Sequence, residues 1–184
     1  MITTERLILR EWRLSDRDPF IAMNADPRVM EHFPSTLSAA ETDASIGRIT
    51  AHLAEHGFGF WAVEIPGRTP FAGFIGLARV RFATPFTPAV EIGWRLACDC
   101  WGAGYATEGA RAALDVGFTA LHLPEIVSFT VPGNARSQAV MRKIGLRHDP
   151  DGDFDHPLLP AGHPLQRHVL YRLRRADYRR ARPQ

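Results

Sequence analysis

Val90-Glu-Ile-Gly-Trp-Arg-Leu96, followed by Ala97-Cys-Asp-Cys-Trp101-Gly-Ala-Gly-Tyr-Ala-Thr-Glu108, decides how the chain is read. A β-prone run, Val90 to Leu96, enters a glycine-bearing turn, and the turn opens the longest helical stretch, Ala103 to Leu121. The first-turn amides of a helix have no internal acceptors, and the helix dipole adds positive potential beside them. Gly102 and Gly104 remove side chains, so an anion can approach the backbone, and a phosphate or pyrophosphate is the natural occupant. A plain structural turn reads the same two glycines without any ligand. The dinucleotide fingerprint does not fit, because its third glycine and its early strand–helix–strand setting are missing. The phosphate-loop pattern fails too, since no Gly-Lys-Ser/Thr follows.

Downstream, thirty residues after Gly104, stands Asn134-Ala-Arg-Ser137-Gln-Ala-Val-Met-Arg-Lys143-Ile-Gly-Leu146. Here an Asn caps a helix, Asn134 to Ile144, that follows a strand from Glu125 to Val131. Upstream, Arg6 to Trp12 reads as a first strand, and Ser15 and Asp16 open a short helix toward Ala25. Ser38 and Glu41 have capping-box spacing ahead of Ile46, Ile49 and Leu53, and that helix should end near Gly57. Phe58 to Ile65 and Phe71 to Phe82 are strands joined by a hairpin at Pro66 to Pro70, and Gln166 to Arg174 is the last strand. The order is α+β: antiparallel strands first, then one strand–helix–strand–helix passage.

A length of 184 residues fits one domain, 1–184, with residues 176–184 read as a frayed basic tail. Hydrophobic residues at 45% and charged residues at 23% belong to a globular chain with a core, which excludes disorder throughout. Met1 to Trp12 already holds Glu5, Arg6, Arg10 and Glu11, so it offers no secretory signal. No later run reaches the roughly 18 apolar residues of a membrane span, and the expected location is cytoplasmic, without a membrane. Cys98 and Cys100 are too close for an unstrained disulfide and are read as reduced thiols. A net charge of +2 is too small to argue by itself for nucleic acid as a partner, and none is expected. Between Arg167 and Arg182 seven arginines face one acid, Asp177. A solvated strand and tail account for them, with contact to RNA or the ribosome as the sharper alternative. The acidic loop Asp149 to His156 fails the calcium pattern, because its glycine follows the second acid and no glutamate closes it. It reads as solvated, or as an attractor for a cationic amine, and no metal site is expected.

Together the turn from Trp101 and the unit from Asn134 resemble the GNAT superfamily of acetyl-CoA-dependent N-acetyltransferases. Thr3-Thr-Glu-Arg-Leu-Ile-Leu-Arg10 and His168-Val-Leu-Tyr-Arg-Leu173 look like its Rim-type (RimJ/RimL-like) branch, which acetylates ribosomal-protein N-termini. The likeness covers nearly the whole chain. It implies a GNAT fold: a mixed, mostly antiparallel central sheet with helices on both faces and a splayed parallel strand pair that binds acyl-CoA. It also implies that, after Trp101, the amides of Gly102, Ala103, Gly104, Tyr105 and Ala106 cradle the CoA pyrophosphate. Asn134 would hold the pantetheine arm while capping its helix, and amides near Leu96 and Ala97 would polarise the thioester carbonyl. Two positions depart from the family pattern. Trp101 stands where Gln or Arg often begins the turn, and Met141 falls where a tyrosine commonly protonates the leaving thiolate. The general acid is then Ser137, solvent or nothing.

An attacking amine must be neutral, yet a peptide α-amine has a pKa near about 8 and a lysine near about 10.4. A general base is therefore useful, and it contributes on the order of a hundredfold or more. Glu91 is the candidate: on a strand it shares a face with Gly93 and Arg95, opposite Val90, Ile92 and Trp94. In histone-modifying members of the superfamily a glutamate occupies the corresponding position. The alternative is that Glu91 merely pairs with an arginine, Arg95 being at hand. Glu108 is expected to favour its helix N-terminus electrostatically. Met30 to Leu37 and the turn Phe82 to Phe86 are expected to wall the acceptor pocket. The resemblance implies acetyl-CoA as cosubstrate and an amine acceptor: a ribosomal protein or peptide N-terminus, a polyamine or an antibiotic amine. A catalytically silent acyl-CoA-binding module is the rival, and monomer and homodimer both stay open.

Overall fold

Strands β1 (Ile2–Thr3) and β2 (Ile8–Arg10) lead into one tight helical turn, Leu14–Asp16, and helix α1 (Arg17–Ala25); the computed structural model describes residues 1–180. Helix α2 (Ala39–His56) starts on the expected capping box. The Ser38 hydroxyl accepts from the Glu41 amide at 3.3 Å, and Glu41 accepts from the Ser38 amide at 2.8 Å. The helix ends at Gly57, whose φ of 73° favours a residue without Cβ. The hairpin of β3 (Phe60–Ile65) and β4 (Thr69–Arg79) closes where the Arg68 amide donates to the Ile65 carbonyl at 3.0 Å. There follow β5 (Val90–Leu96), α3 (Tyr105–Asp115), β6 (Glu125–Thr130) and α4 (Ala135–Lys143). The short β7 (Arg147–His148) and β8 (Phe154–Asp155) precede β9 (Arg167–Arg174) and α5 (Arg175–Arg180).

The chain divides into two compact units. The first comprises Met1–Ala78 and Gly93–Ala113. Here β1, β2, β3 and β4 form an antiparallel meander, and the end of β5 joins β4 where the Ala97 amide donates to the Ala72 carbonyl at 2.9 Å. The cross-strand partners Ala62 and Phe74 face a cluster with Phe20 and Met23 of α1. The partners Trp61 and Ile75 point the other way. There α3 packs so closely that a Cβ on Gly109 would lie 2.5 Å from Ile75 Cδ1. Helices therefore cover both faces of this sheet.

The second unit comprises Arg79–Ile92 and the chain from Leu114 onward. The first residues of β5 neighbour β6, β6 neighbours β9, and β7 and β8 both pair with β9. The β6–β9 ladder is antiparallel from Glu125↔Arg174 to Thr130↔Val169. The β5–β6 pair is parallel, and its register is the one pair Glu91↔Val127. Ser128 Oγ adds a bond to the Ile92 carbonyl at 2.9 Å. A parallel pair within an otherwise antiparallel sheet is the mixed α+β arrangement expected from the sequence.

Three local readings change. The helix expected to reach Leu121 ends its α-geometry at Asp115, and Val116–Ala120 widens into a π-turn. Strands β7 and β8 hold two residues each, too few to show alternation in the sequence. Residues 176–180, expected to begin a frayed tail, continue as α5, because Tyr178 donates to the Asp115 carboxylate and its ring lies 4.6 Å from Phe118. Arg182 lies outside the described residues. Among the described residues no helix is long and apolar enough to cross a membrane.

One buried ion cluster fixes the start of the first unit. Arg10, only 3% exposed, donates to both oxygens of Asp16 at 2.8 and 2.9 Å and to Glu64 at 2.8 Å. The bond to Asp16 is the main reason its guanidinium holds its proton more tightly than usual. Asp16→Ala leaves that buried cation half-paired and should cost about 3–5 kcal/mol in urea unfolding. A loss under about 1 kcal/mol would mean that Glu64 alone suffices.

Candidate active site

Gly102 and Gly104 adopt φ values of 76° and 86°, which turn the chain sharply ahead of α3. Among the described residues the amides of Gly102, Ala103 and Gly104 have no backbone acceptor. The preceding stretch is pinned by Trp101, whose indole donates to the Leu96 carbonyl at 2.8 Å. Two guanidinium groups stand beside the turn. Arg6 donates to the Ala103 carbonyl at 2.9 Å and lies 4.9 Å from the centre of the Tyr105 ring. Arg68 donates to the Asp99 carbonyl and lies 5.8 Å from the same ring. Both arginines escape the sequence reading, because nothing local ties residues 6 and 68 to residue 105. Glu108 does more than favour a helix end: it accepts from Thr4 Oγ1 at 2.6 Å and the Arg6 amide at 2.8 Å, and pairs with Arg6 at 2.6 Å. Burial pushes its carboxyl up, but these bonds outweigh that and hold it below the usual range.

The oxyanion reading needs a correction at Ala97. Its amide is engaged with the Ala72 carbonyl at 2.9 Å, so it has no hydrogen left for a thioester oxygen. Asn134 caps α4 as expected. Its Oδ1 accepts from the Ser137 amide at 3.1 Å and its Nδ2 donates to Thr130 Oγ1 at 3.0 Å, which leaves one amide hydrogen. Ser137 is half-buried in the first turn of α4, and Met141 is buried at 2% exposure.

Glu91 is half-buried on β5. Register places it on one face with Val127 and Phe129 of β6 and with His168, Leu170 and Arg172 of β9. That face is aromatic. Phe154 lies 5.5 Å from Phe129, and from the β4–β5 connection Phe86 approaches Phe154 at 5.0 Å while Phe82 approaches His156 at 4.5 Å. The Phe82–Phe86 turn thus packs on the sheet face that carries Glu91. Burial pushes the Glu91 carboxyl up to about 7, which suits a base that must accept a proton at neutral pH. His156 and His168 lie 5.0 Å apart. Burial pulls both imidazoles down, with His168 adding to the effect on His156.

Arg95 is not the partner of Glu91. Its Nη1 donates instead to Asn24 Oδ1 at 2.7 Å. From the expected Met30–Leu37 wall, Met30 is buried in the core and Phe33 lies over the Arg95 guanidinium at 4.1 Å. The acidic loop turns inward. Asp149 pairs with Arg172 at 2.6 Å, Asp153 accepts from the Leu170 amide at 2.8 Å and pairs with His148 at 2.9 Å, and Asp155 pairs with Arg167 at 3.5 Å. Those ties engage three of the loop's four carboxylates, and they also occupy two of the clustered arginines.

Residues 6–147 match the family model described as the acetyltransferase (GNAT) domain. The chain is 38% identical over 155 residues to the FsC-acetyl coenzyme A-N(2)-transacetylase of Aspergillus fumigatus, covering 79% of this chain and 64% of that protein. A crystal structure of an acetyltransferase from Agrobacterium tumefaciens superposes with a TM-score of 0.75 at 30% identity, over 94% of this chain and 92% of that one. RimJ of Mycobacterium smegmatis in complex with CoA-disulfide superposes with a TM-score of 0.71 over 91% and 81% of the two chains. At 23% identity that last likeness is one of fold.

The raised Glu91 pKa has two measurable consequences. As base, Glu91 should give a rate that rises with pH through about 7, and Glu91→Gln should lose that limb and about a hundredfold or more in kcat. An unchanged pH profile would remove Glu91 from the chemistry. Stability moves oppositely: between about 4.5 and about 7 the unfolded chain has released this proton while the folded one keeps it, so Glu91 erodes stability as pH rises. Glu91→Gln should therefore raise the urea midpoint at about pH 8 and leave it little changed at about pH 4.

Proposed function

The chain belongs to the GNAT acetyltransferase family, and from that premise we propose that it transfers acetyl from acetyl-CoA directly to a primary amine. The observation that carries this reading is the run of three amides, Gly102 to Gly104, without acceptors at the head of α3 and flanked by Arg6 and Arg68. A pyrophosphate supplies what those donors lack. Tyr105 and Ala106 complete the cradle, Trp101 only bracing it because its amide and indole already donate to the Cys98 and Leu96 carbonyls, and Asn134 offers its remaining amide hydrogen to the pantetheine arm. Leu96, rather than Ala97, is left as the backbone donor for the thioester oxygen.

In the reaction the amine nitrogen attacks the thioester carbonyl carbon, and Glu91 takes the proton that the nitrogen loses. The tetrahedral oxyanion collapses, the carbon–sulfur bond breaks, and the products are an amide and the CoA thiolate. Met141 has no proton to give that thiolate, so the proton comes from solvent or from Ser137. A thiolate is already a stable leaving group, and this step tolerates a weak acid. Holding both reactants in one ternary complex supplies much of the rate through orientation. The Aspergillus relative is named for an N-acetylation that uses acetyl coenzyme A, which supports the cosubstrate. A protein N-terminal α-amine is the acceptor suggested by the RimJ likeness. The internal ion pairs of Arg167 and Arg172 weaken the RNA alternative.

Saturating acetyl-CoA, at about a hundredfold over its Kd, should stabilise the fold by about 2.7 kcal/mol, or roughly 5–10 °C in Tm. Gly104→Asp should abolish the shift, because it places a carboxylate where the pyrophosphate binds. No shift at millimolar acetyl-CoA would sink the reading, and a shift without turnover on any amine would favour the silent acyl-CoA-binding module.

A further inference from the structure

Arg95 presents a problem of charge that the protein does not solve within itself. A guanidinium stays ionised and carries five N–H donors in a planar fork. In Arg95 one of these, on Nη1, reaches Asn24 Oδ1 at 2.7 Å. Nε is fully buried and has no acceptor. Among the described residues no carboxylate pairs with Arg95, whereas Arg10 in the same unit receives two. The rings of Phe33 and Phe74, 4.1 and 5.5 Å from its central carbon, interact with the cation but offer its N–H groups no carboxylate. Burial accordingly pulls the Arg95 pKa down to about 10.

The fork is nonetheless held in place. Asn24, fully buried, donates through Nδ2 to Thr42 Oγ1 at 3.2 Å, which aims its oxygen at Arg95. Phe33 lies over the guanidinium and is itself 39% exposed, and Arg95 is half-buried rather than sealed in the core. A rigidly oriented guanidinium with unfilled in-plane donors near solvent is a receptor for a carboxylate. Glu91 stands four residues earlier on the same face of β5, which separates the two Cα atoms by about 13 Å.

We propose that Arg95 anchors the anionic end of the acceptor, which is a primary amine carrying a carboxylate several atoms away. The proposal rests on the transferase reading and names its substrate class. An α-amino acid that presents its own α-amine is too short for this spacing. An ω-amino acid, or a peptide whose acidic group lies beyond its amine, has the required length.

The test compares aminohexanoate with its neutral amide, aminohexanamide, as acceptors in a CoA-release assay. A charge-assisted pair is strong enough to favour the acid by about 10–100-fold in kcat/KM. Arg95→Gln should bring the acid-to-amide ratio close to one through the KM for the acid. Asn24→Asp gives Arg95 an internal carboxylate, so it should fold at least as stably and also lose the preference. That variant separates recognition from damage to the fold. A wild-type ratio near one, or a ratio that survives both substitutions, overturns the assignment. Turnover of neither acceptor overturns it as well, and if the acetyl-CoA melting shift persists the transferase reading stands without it. Loss of that shift in the wild type would fail the transferase reading itself.

Discussion

An ionised group removed from water costs several kcal/mol unless another group replaces its hydration. This chain meets that cost in three ways. Arg10 is buried with Asp16 and Glu64, and the cluster joins β2, the first helical turn and β3. Glu91 has no comparable partner and answers by holding its proton up to about pH 7. Arg95 cannot neutralise at that pH, and it leans on one amide oxygen and two aromatic faces. The first solution builds structure. The second leaves a carboxyl poised to accept a proton, and the third leaves a demand for an anion.

Glu91 and Arg95 belong to one strand, and the strand separates two kinds of work. Ile92 and Leu96 are buried on one side of β5. Glu91, Gly93 and Arg95 occupy the other side. At Gly93 a Cβ would stand 3.1 Å from Phe60 Cε1, so that ring would have to give by a few tenths of an ångström. Gly73 of β4 has to be small, because its Cβ would fall 2.1 Å from the Arg95 carbonyl. Its φ of 129° adds a conformation that L-residues avoid. The two glycines let β5 run close to β4 and to the Phe60 ring.

The parts legible in the sequence are those encoded within a few residues. The Ser38–Glu41 capping box, the Gly57 stop, the alternation of Val90 to Leu96 and the glycine turn before α3 all rest on local rules. The placing of Glu91 on one face with Gly93 and Arg95 likewise needed only period-two alternation. What stayed hidden depends on contacts between distant residues. Arg6 and Glu108 are 102 residues apart, and Arg95 and Asn24 are 71 apart, so no spacing rule links them. The engaged amide of Ala97 was invisible for the same reason, since a strand's pattern does not reveal which carbonyl its amide will meet. Helix α5 is the sharpest case. A basic composition suggests fraying, and one tyrosine packed on Phe118 and bonded to Asp115 reverses that outcome.

The glycine turn illustrates how such distant ties change chemistry as well as structure. Three amides and a helix dipole make a weak anion site, because the dipole amounts to only about half a charge. Arg6 cannot add a full positive charge, since Glu108 lies 2.6 Å from it and offsets most of its field. Its contribution is positional: it bonds the Ala103 carbonyl and so braces the turn. Arg68 differs. Among the described residues it has no carboxylate partner, and its bonds go to the Asp99 carbonyl and, at 3.4 Å, the Tyr105 hydroxyl. Its charge is therefore available to an incoming anion. One arginine braces the turn and the other leaves its charge beside it, and both lie near the Tyr105 ring.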